Sequence, residues 1–183
     1  FDTVRFESFD FNDLIRNKKV YAAKAQLKNG RLDIYSDKHY KSTPLNKVGR
    51  SPHQALLHMK THLAIDTMLV QNADISYSEL SDKYNQVGKI TFDNSYATIS
   101  NMTNDATSLA KNKWMRVDVI TKVMNSGRLH VLFGFDMTSK SGFHTYKGTV
   151  GSMQAPAFNQ ILRPLLNVEI TSGNIKKIAF DME

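Results

Sequence analysis

Two histidines in this 183-residue chain have the spacing of a metal-binding pair. His58 and His62 are four residues apart, which would place both imidazoles on one face of a helix. The residues between them include no glutamate, so the general base of the zinc-peptidase motif is missing. Lys60 would also place a positive charge beside a bound cation. The sequence therefore favours a solvated helix end, and we expect no metal site.

Acid–base catalysis by two carboxylates is the second chemistry that the residue types allow. Polar positions of predicted strands hold Asp33, Asp66, Asp74, Asp118 and Asp136. Neighbouring strands can bring two carboxylates within about 5–10 Å, the separation that glycosidases use. Nothing in the sequence selects one pair, so a solvated strand face is the favoured interpretation.

Other catalytic signatures are missing from the sequence. It contains no Cys, no nucleophile elbow, no phosphate-binding P-loop and no dinucleotide-binding glycine motif. The pair Gly148 and Gly151 lacks the lysine that a phosphate loop needs. We therefore expect no catalytic residue and no cofactor, and the chain is predicted not to be an enzyme.

The charge balance favours an acidic partner. The chain has 24 basic and 17 acidic residues, a net charge of +7, which suits anionic lipid head groups as well as nucleic acid. The basic residues are scattered and form no run of five like charges, so we expect no nucleic-acid partner. No stretch reaches the roughly 18 apolar residues that span a bilayer. Because the chain starts at Phe1 and stops at Glu183 inside an apparent strand, we expect it to be a piece of a longer precursor.

Alternating apolar residues predict the elements that would position any site. Two neighbouring runs are the clearest, and a turn at 125–127 separates them. The apolar positions of the two runs are Met115, Val117, Val119, Val123, Leu129, Val131, Phe133 and Phe135. They predict a long hairpin with one apolar face, and these eight residues are our candidate lipid-facing or core positions.

Weaker alternation predicts further strands, roughly ten in all. The segments are 3–9, 20–27, 31–36, 63–70, 74–79, 88–92, 96–101, 143–150 and 174–182. A short turn is predicted over 12–16, and helices over 51–61 and over 155–166, with Pro164 ending or kinking the last one near Leu162. We predict a mainly β, β-dominated α+β fold. It is one domain over 1–183 with an extended, curved antiparallel sheet of repeated hairpins, one or two short helices, and a possible loop or helix insertion at 37–62.

Five segments share a frame in which an Asn or Ser and a small residue follow an apolar position. They are 27–34, 70–77, 92–99, 124–131 and 170–178. Such residues accept the positive φ of a tight turn, so the frame predicts turns at Asn29, Asn72, Asn94, Ser126 and Ser172. Positive φ is expected at Gly30, Gly127 and Gly173.

These frames resemble the repeating hairpins of AsmA-like envelope proteins and their TamB relatives. The segments that carry the resemblance are 63–78 (LAIDTMLVQNADISYS), 88–94 (GKITFDN), 99–104 (ISNMTN), 158–166 (FNQILRPLL) and 168–173 (VEITSG). The resemblance covers about 60–183, and more faintly 18–36.

The resemblance implies a periplasmic, membrane-anchored protein of the cell envelope. Its curved sheet would carry phospholipid, or another acyl-chain lipid, along an apolar groove or assist outer-membrane assembly, and its membrane anchor would lie outside this sequence. Two other interpretations stay open. One is a β-sheet interaction or assembly module with a closed core and no ligand, and the other is a carbohydrate-binding or hydrolytic domain.

Overall fold

Strands dominate the computed structural model, which describes residues 1–40 and 51–183. Strands make up 55% and helices 17% of the structure, so the predicted mainly β class is confirmed. No helix in the described part of the chain is long and apolar enough to cross a membrane.

The strands are β1 (Thr3–Glu7), β2 (Lys19–Lys28), β3 (Arg31–Asp37), β4 (His62–Leu80), β5 (Val87–Thr103), β6 (Trp114–Val123), β7 (Gly127–Asp136), β8 (His144–Val150), β9 (Met153–Gln154), β10 (Asn174–Ile175) and β11 (Ile178–Met182). The helices are α1 (Phe11–Asn17), α2 (Pro52–Leu57), α3 (Ala106–Lys111) and α4 (Asn159–Leu166), and a 3₁₀ turn (Ala155–Phe158) leads into α4.

One large open sheet has the strand order β1-β2-β4-β5-β6-β7-β8-β11, and β3 follows β2 along the same side of β4. Most pairs are antiparallel, as predicted, but β2 and β3 are both parallel to β4. A parallel pair needs a crossover connection. α2 lies between β3 and β4 in the chain, within the segment where we expected an insertion. Residues 41–50 of that expected insertion lie outside the described residues.

The shared sequence frame marks bulges as well as turns. Asn29, Asn72 and Asn94 have positive φ values of 50–54°, although the frame predicted turns there and positive φ at the glycines. Asn72 and Asn94, however, interrupt the pairing register inside the long strands β4 and β5 instead of ending them. A left-handed residue produces a bulge when the strand continues beyond it.

The remaining frames behave as turns. Met124 and Asn125 have positive φ in the β6–β7 hairpin, where Ser126 also lies, and Ser172 lies in a bend before β10. Gly173 has the expected positive φ of 138°. The same expectation is wrong for Gly30 and Gly127, because neighbouring asparagines take the left-handed conformation instead.

The helices differ in length from the prediction. α2 ends at Leu57, not Thr61, and α4 continues through Pro164 to Leu166. Proline removes one helical hydrogen bond, and the carbonyl that loses its partner belongs to the exposed residue Gln160. Asn167 then ends α4 in a left-handed conformation.

Two core clusters lie on the same face of the sheet, one beneath each covering helix. The first includes Leu56 of α2 together with Ile65 and Met115. The second joins Val123 and Val150 to Phe158, just before α4. α4 itself packs closely against β5, because a Cβ at Gly88 would be 2.6 Å from Cγ of Leu165. Helices therefore cover two separate parts of the apolar face.

Candidate functional site

All eight predicted site residues lie on the apolar face of the β6–β7 hairpin. Met115 pairs with Phe135, Val117 with Phe133, and Val119 with Val131. Val123 pairs with Gly127 and Leu129 with Thr121. Directly paired residues point to the same side of a sheet. The pairs thus place the eight side chains together.

The apolar face extends far beyond this hairpin, because two rows of cross-strand neighbours continue it over eight strands. We call these two rows the apolar band. The first row is Phe6, Ala25, Met68, Ile99, Val117, Phe133, Tyr146 and Met182. The second row is Val4, Leu27, Val70, Ala97, Val119, Val131, Gly148 and Phe180. No charged side chain interrupts either row.

Gly148 is the one position of the band without a side chain. A Cβ at Gly148 would lie 2.8 Å from Cζ of the Phe180 ring and 2.4 Å from the backbone oxygen of His130. The ring of Phe180 therefore occupies the space above Gly148, and the apolar surface is continuous there.

Membership of the two core clusters divides the eight predicted residues into core and band. Met115 and Phe135 belong to the cluster beneath α2, and Val123 and Leu129 to the cluster beneath α4. Sequence patterning alone could not separate these four from the rest.

The four residues between the clusters belong to the band. Val117, Val119 and Phe133 are half-buried and belong to neither cluster. Val131 is buried. The band becomes more exposed at the sheet edges, where Val4, Phe6 and Met182 are open to solvent.

A buried polar pair, which the sequence interpretation missed, separates the band from the α4 cluster. Ser95 Oγ donates a 2.9 Å hydrogen bond to Thr121 Oγ1, which donates in turn to the backbone oxygen of Asp93 at 3.0 Å. Thr121 pairs with Leu129 and thus shares the apolar face. The signal in the sequence was that Thr121, a polar residue, occupies the position between Val119 and Val123 where the alternation calls for an apolar one.

His53 is a second residue that the sequence interpretation missed. Its side chain, on α2, is 1% exposed, and its ring centroid lies 4.8 Å from that of Phe135. Nδ1 has no hydrogen-bond partner among the described residues. Burial, and secondarily the nearby His144, lowers the pKa of His53 below its ordinary value. A neutral imidazole therefore packs against the covered end of the apolar face.

The predicted histidine pair is not on one helical face. His58 follows the last residue of α2, and His62 begins β4. Within the described ranges, no group of three His, Asp or Glu side chains could hold a metal ion.

The five aspartates mostly make structural contacts. Asp33 accepts hydrogen bonds from Ser76 and Arg31, which lower its pKa. Asp74 accepts the backbone N–H of Asn94 at 2.9 Å. The remaining contacts join Asp118 to His130 and Asp136 to Lys113, and Asp66 borders a small cavity. None of these contacts creates an acid–base pair.

The opposite, polar face carries open cavities. One of about 470 Å³ is lined by His130, Lys147 and Asp181, and one of about 730 Å³ by Arg116 and Asp118 among others. Charged side chains of both signs line part of each cavity, together with the band residue Phe180 in the first and Val117, Phe133 and Tyr146 in the second.

No protein-family model, curated protein or solved structure matches this chain. The AsmA-like resemblance stays a prediction from the sequence.

Proposed function

We propose that this protein is a non-enzymatic protein of the cell envelope that binds phospholipid acyl chains along its apolar band. The observation that supports the proposal is the pair of uninterrupted apolar rows across eight strands. Ala25, Met68 and Ile99 of the first row pack in the cluster beneath α2. The rest of the band lies outside that cluster, and an apolar surface of this kind is typical of one that has a ligand or a partner.

The band is long enough for two acyl chains placed end to end. Neighbouring strands lie roughly 4.8 Å apart, so a row over eight strands is about 34 Å long. The hydrocarbon core of a bilayer is about 30 Å thick, which is the length of two opposed acyl chains. A lipid tail lying along the band would cover methyl and aromatic side chains and lose little hydrogen bonding.

The charge of the protein is compatible with this ligand. Basic residues exceed acidic ones by seven, which favours an anionic ligand. Cations outside an apolar surface can contact phosphate groups while the tails occupy the surface. Transport between membranes and assistance to outer-membrane assembly are the roles that would follow, with the protein anchored on the periplasmic side.

An interaction module without a ligand is the second candidate. Its support is that Met115, Val123 and Val131 are buried, and that edge strands β1 and β11 each leave one side unpaired in the described structure. Exposed edges of this kind pair with other strands. In that case the apolar band would contact protein and not lipid.

A matched pair of variants on β7 distinguishes the two candidates. Phe133→Asp places a charge in the band, whereas Leu132→Asp places the same charge one residue away on the polar face. Each variant is first shown to fold by circular dichroism and thermal unfolding. The purified proteins are then exposed to a photoactivatable lysophospholipid. We expect crosslinking to wild type and Leu132→Asp but not to Phe133→Asp. Equal crosslinking of both variants would contradict lipid binding on the band.

A further inference from the structure

At the β1 edge, the apolar band continues into an exposed corner formed by α1. The ring of Phe6, in the first row of the band, stacks on Phe9 with centroids 5.1 Å apart. Phe9 contacts Phe11 edge to face at 6.5 Å. Phe11 and Ile15, one turn apart on α1, are 63% and 64% exposed. The corner therefore presents two large apolar side chains to solvent, and aromatic contacts join one of them, Phe11, to the band.

Local hydrogen bonds hold α1 in place. Asp10 Oδ1 accepts the backbone N–H groups of Asn12 and Asp13 at 2.8 and 3.1 Å, which caps the helix. Lys18 ends it in a left-handed conformation. Leu14 and Asp13 are only half-exposed, whereas Phe11 and Ile15 are exposed. The exposure of these two side chains thus belongs to an ordered helix.

Three cations follow the exposed pair within four residues. Arg16, Lys18 and Lys19 form no ion pair with any described carboxylate. Lys19 lies over the ring of Tyr21, with Nζ 5.8 Å from the centroid.

The acidic groups of the corner have partners of their own. Asp10 caps α1, and Asp13 accepts a hydrogen bond from Asn17. Glu7 pairs with Lys24 at 3.7 Å. The three cations beside the exposed apolar pair therefore remain available to an anionic partner.

We propose that α1 docks this protein onto the surface of an anionic bilayer. Phe11 and Ile15 enter the boundary between head groups and acyl chains, and Arg16, Lys18 and Lys19 contact lipid phosphates. A short apolar anchor together with several cations is the combination that holds peripheral proteins at such surfaces. The inference rests on the proposed lipid-binding function, and it places the β1 end of the band next to the membrane, where an acyl chain would enter.

Vesicle co-sedimentation of the full chain tests the docking. Vesicles of phosphatidylcholine with about 30% phosphatidylglycerol are compared with phosphatidylcholine alone, at low and high salt. We expect binding to the anionic vesicles only, with loss at high salt. The double variant Phe11→Ser/Ile15→Ser and the triple variant Arg16→Gln/Lys18→Gln/Lys19→Gln should each lower the partition coefficient by about tenfold or more.

Matched controls come from the other end of the chain. Leu166→Ser/Val168→Ser removes two side chains that are 59% and 51% exposed, and Lys176→Gln/Lys177→Gln removes two exposed cations. Both controls should bind vesicles as wild type does. An equal loss in the controls, or unchanged binding of the α1 variants, would overturn docking through α1.

A second readout separates docking from acyl-chain binding. Crosslinking to a monomeric lysophospholipid needs no membrane, so the α1 variants should retain it while losing vesicle binding. Phe133→Asp should lose crosslinking to the lysophospholipid but retain vesicle binding. Wild type that crosslinks the lysophospholipid but ignores anionic vesicles would refute docking and leave the proposed function intact. Capture of the α1 corner by a protein partner, with no vesicle binding, would likewise refute it.

Discussion

The side-chain amide of Asn72 donates a 2.8 Å hydrogen bond to Oδ1 of Asn29, 43 residues earlier in the chain. Both residues have positive φ, and Asn29 donates in turn to Asp2 at 2.6 Å. The bulge at Asn72 shifts the alternation of β4 by one residue, so that Val70 and Ala73 share the apolar face. These asparagines therefore keep the apolar side continuous along the longest strand.

Substitutions at Asn72 should show that its backbone conformation matters more than its hydrogen bond. Asn72→Val places a β-branched side chain at φ 54° and should lower the free energy of unfolding by about 1–3 kcal/mol. Asn72→Gly loses the contact with Asn29 but accepts the positive φ, so its cost should be less than half as large. Urea unfolding measures both. A valine variant as stable as the glycine variant would refute the bulge assignment.

Close packing of α4 on β5 predicts that Gly88 tolerates no side chain. A Cβ there would lie 2.6 Å from Cγ of Leu165 and 3.2 Å from the backbone oxygen of Ile161. Gly88→Ala should therefore destabilise the protein by about 1–3 kcal/mol. The matched control is Gly151→Ala, where the nearest atom would be 3.5 Å away and the expected change is within about 0.5 kcal/mol. Thermal unfolding compares the two, and equal costs would contradict this packing.

Burial of His53 predicts a pH dependence of stability. The pKa of His53 is lowered in the folded protein, first by burial and then by His144. As pH falls below about 6.5, the ordinary histidine pKa, the unfolded chain binds a proton that the folded protein does not. The contribution of His53 is thus fully present above that pH and declines as pH falls toward its folded pKa.

Unfolding at several pH values between about 7 and 5 measures the effect. His53→Phe should weaken the loss of stability on acidification, because the buried ring no longer titrates. His58→Gln, at the exposed end of α2, should retain it. A His53→Phe variant with the wild-type pH profile would show that this histidine is not the titrating group.

Local patterns predicted the β6–β7 hairpin well. The alternation from Met115 to Phe135 sets the face of each side chain, and the turn at Asn125 joins neighbouring strands. Strand direction could not be predicted from such patterns, because the alternation of apolar and polar residues is the same in parallel and antiparallel strands. The parallel placement of β2 and β3 against β4 depends on the crossover that includes α2, which no short pattern reveals.

The same limit explains the misassigned frames and the missed site residues. An asparagine with positive φ serves a hairpin turn and a bulge equally well, and only the strand beyond it decides which one forms. His53 is buried because α2 packs against Phe135. The two residues are 82 positions apart in the sequence. Long-range packing of this kind separates the core positions from the band.

Residue-by-residue crosslinking in cells tests lipid binding on the apolar band most directly. A photoreactive amino acid is placed in turn at consecutive positions of β6 and β7, and attached phospholipid is identified by mass spectrometry. We predict crosslinks with a period of two, at Val117, Val119 and Phe133 but not at Arg116, Asp118 or Leu132. Lipid attached equally at both sets of positions, or at the polar set alone, would contradict the account.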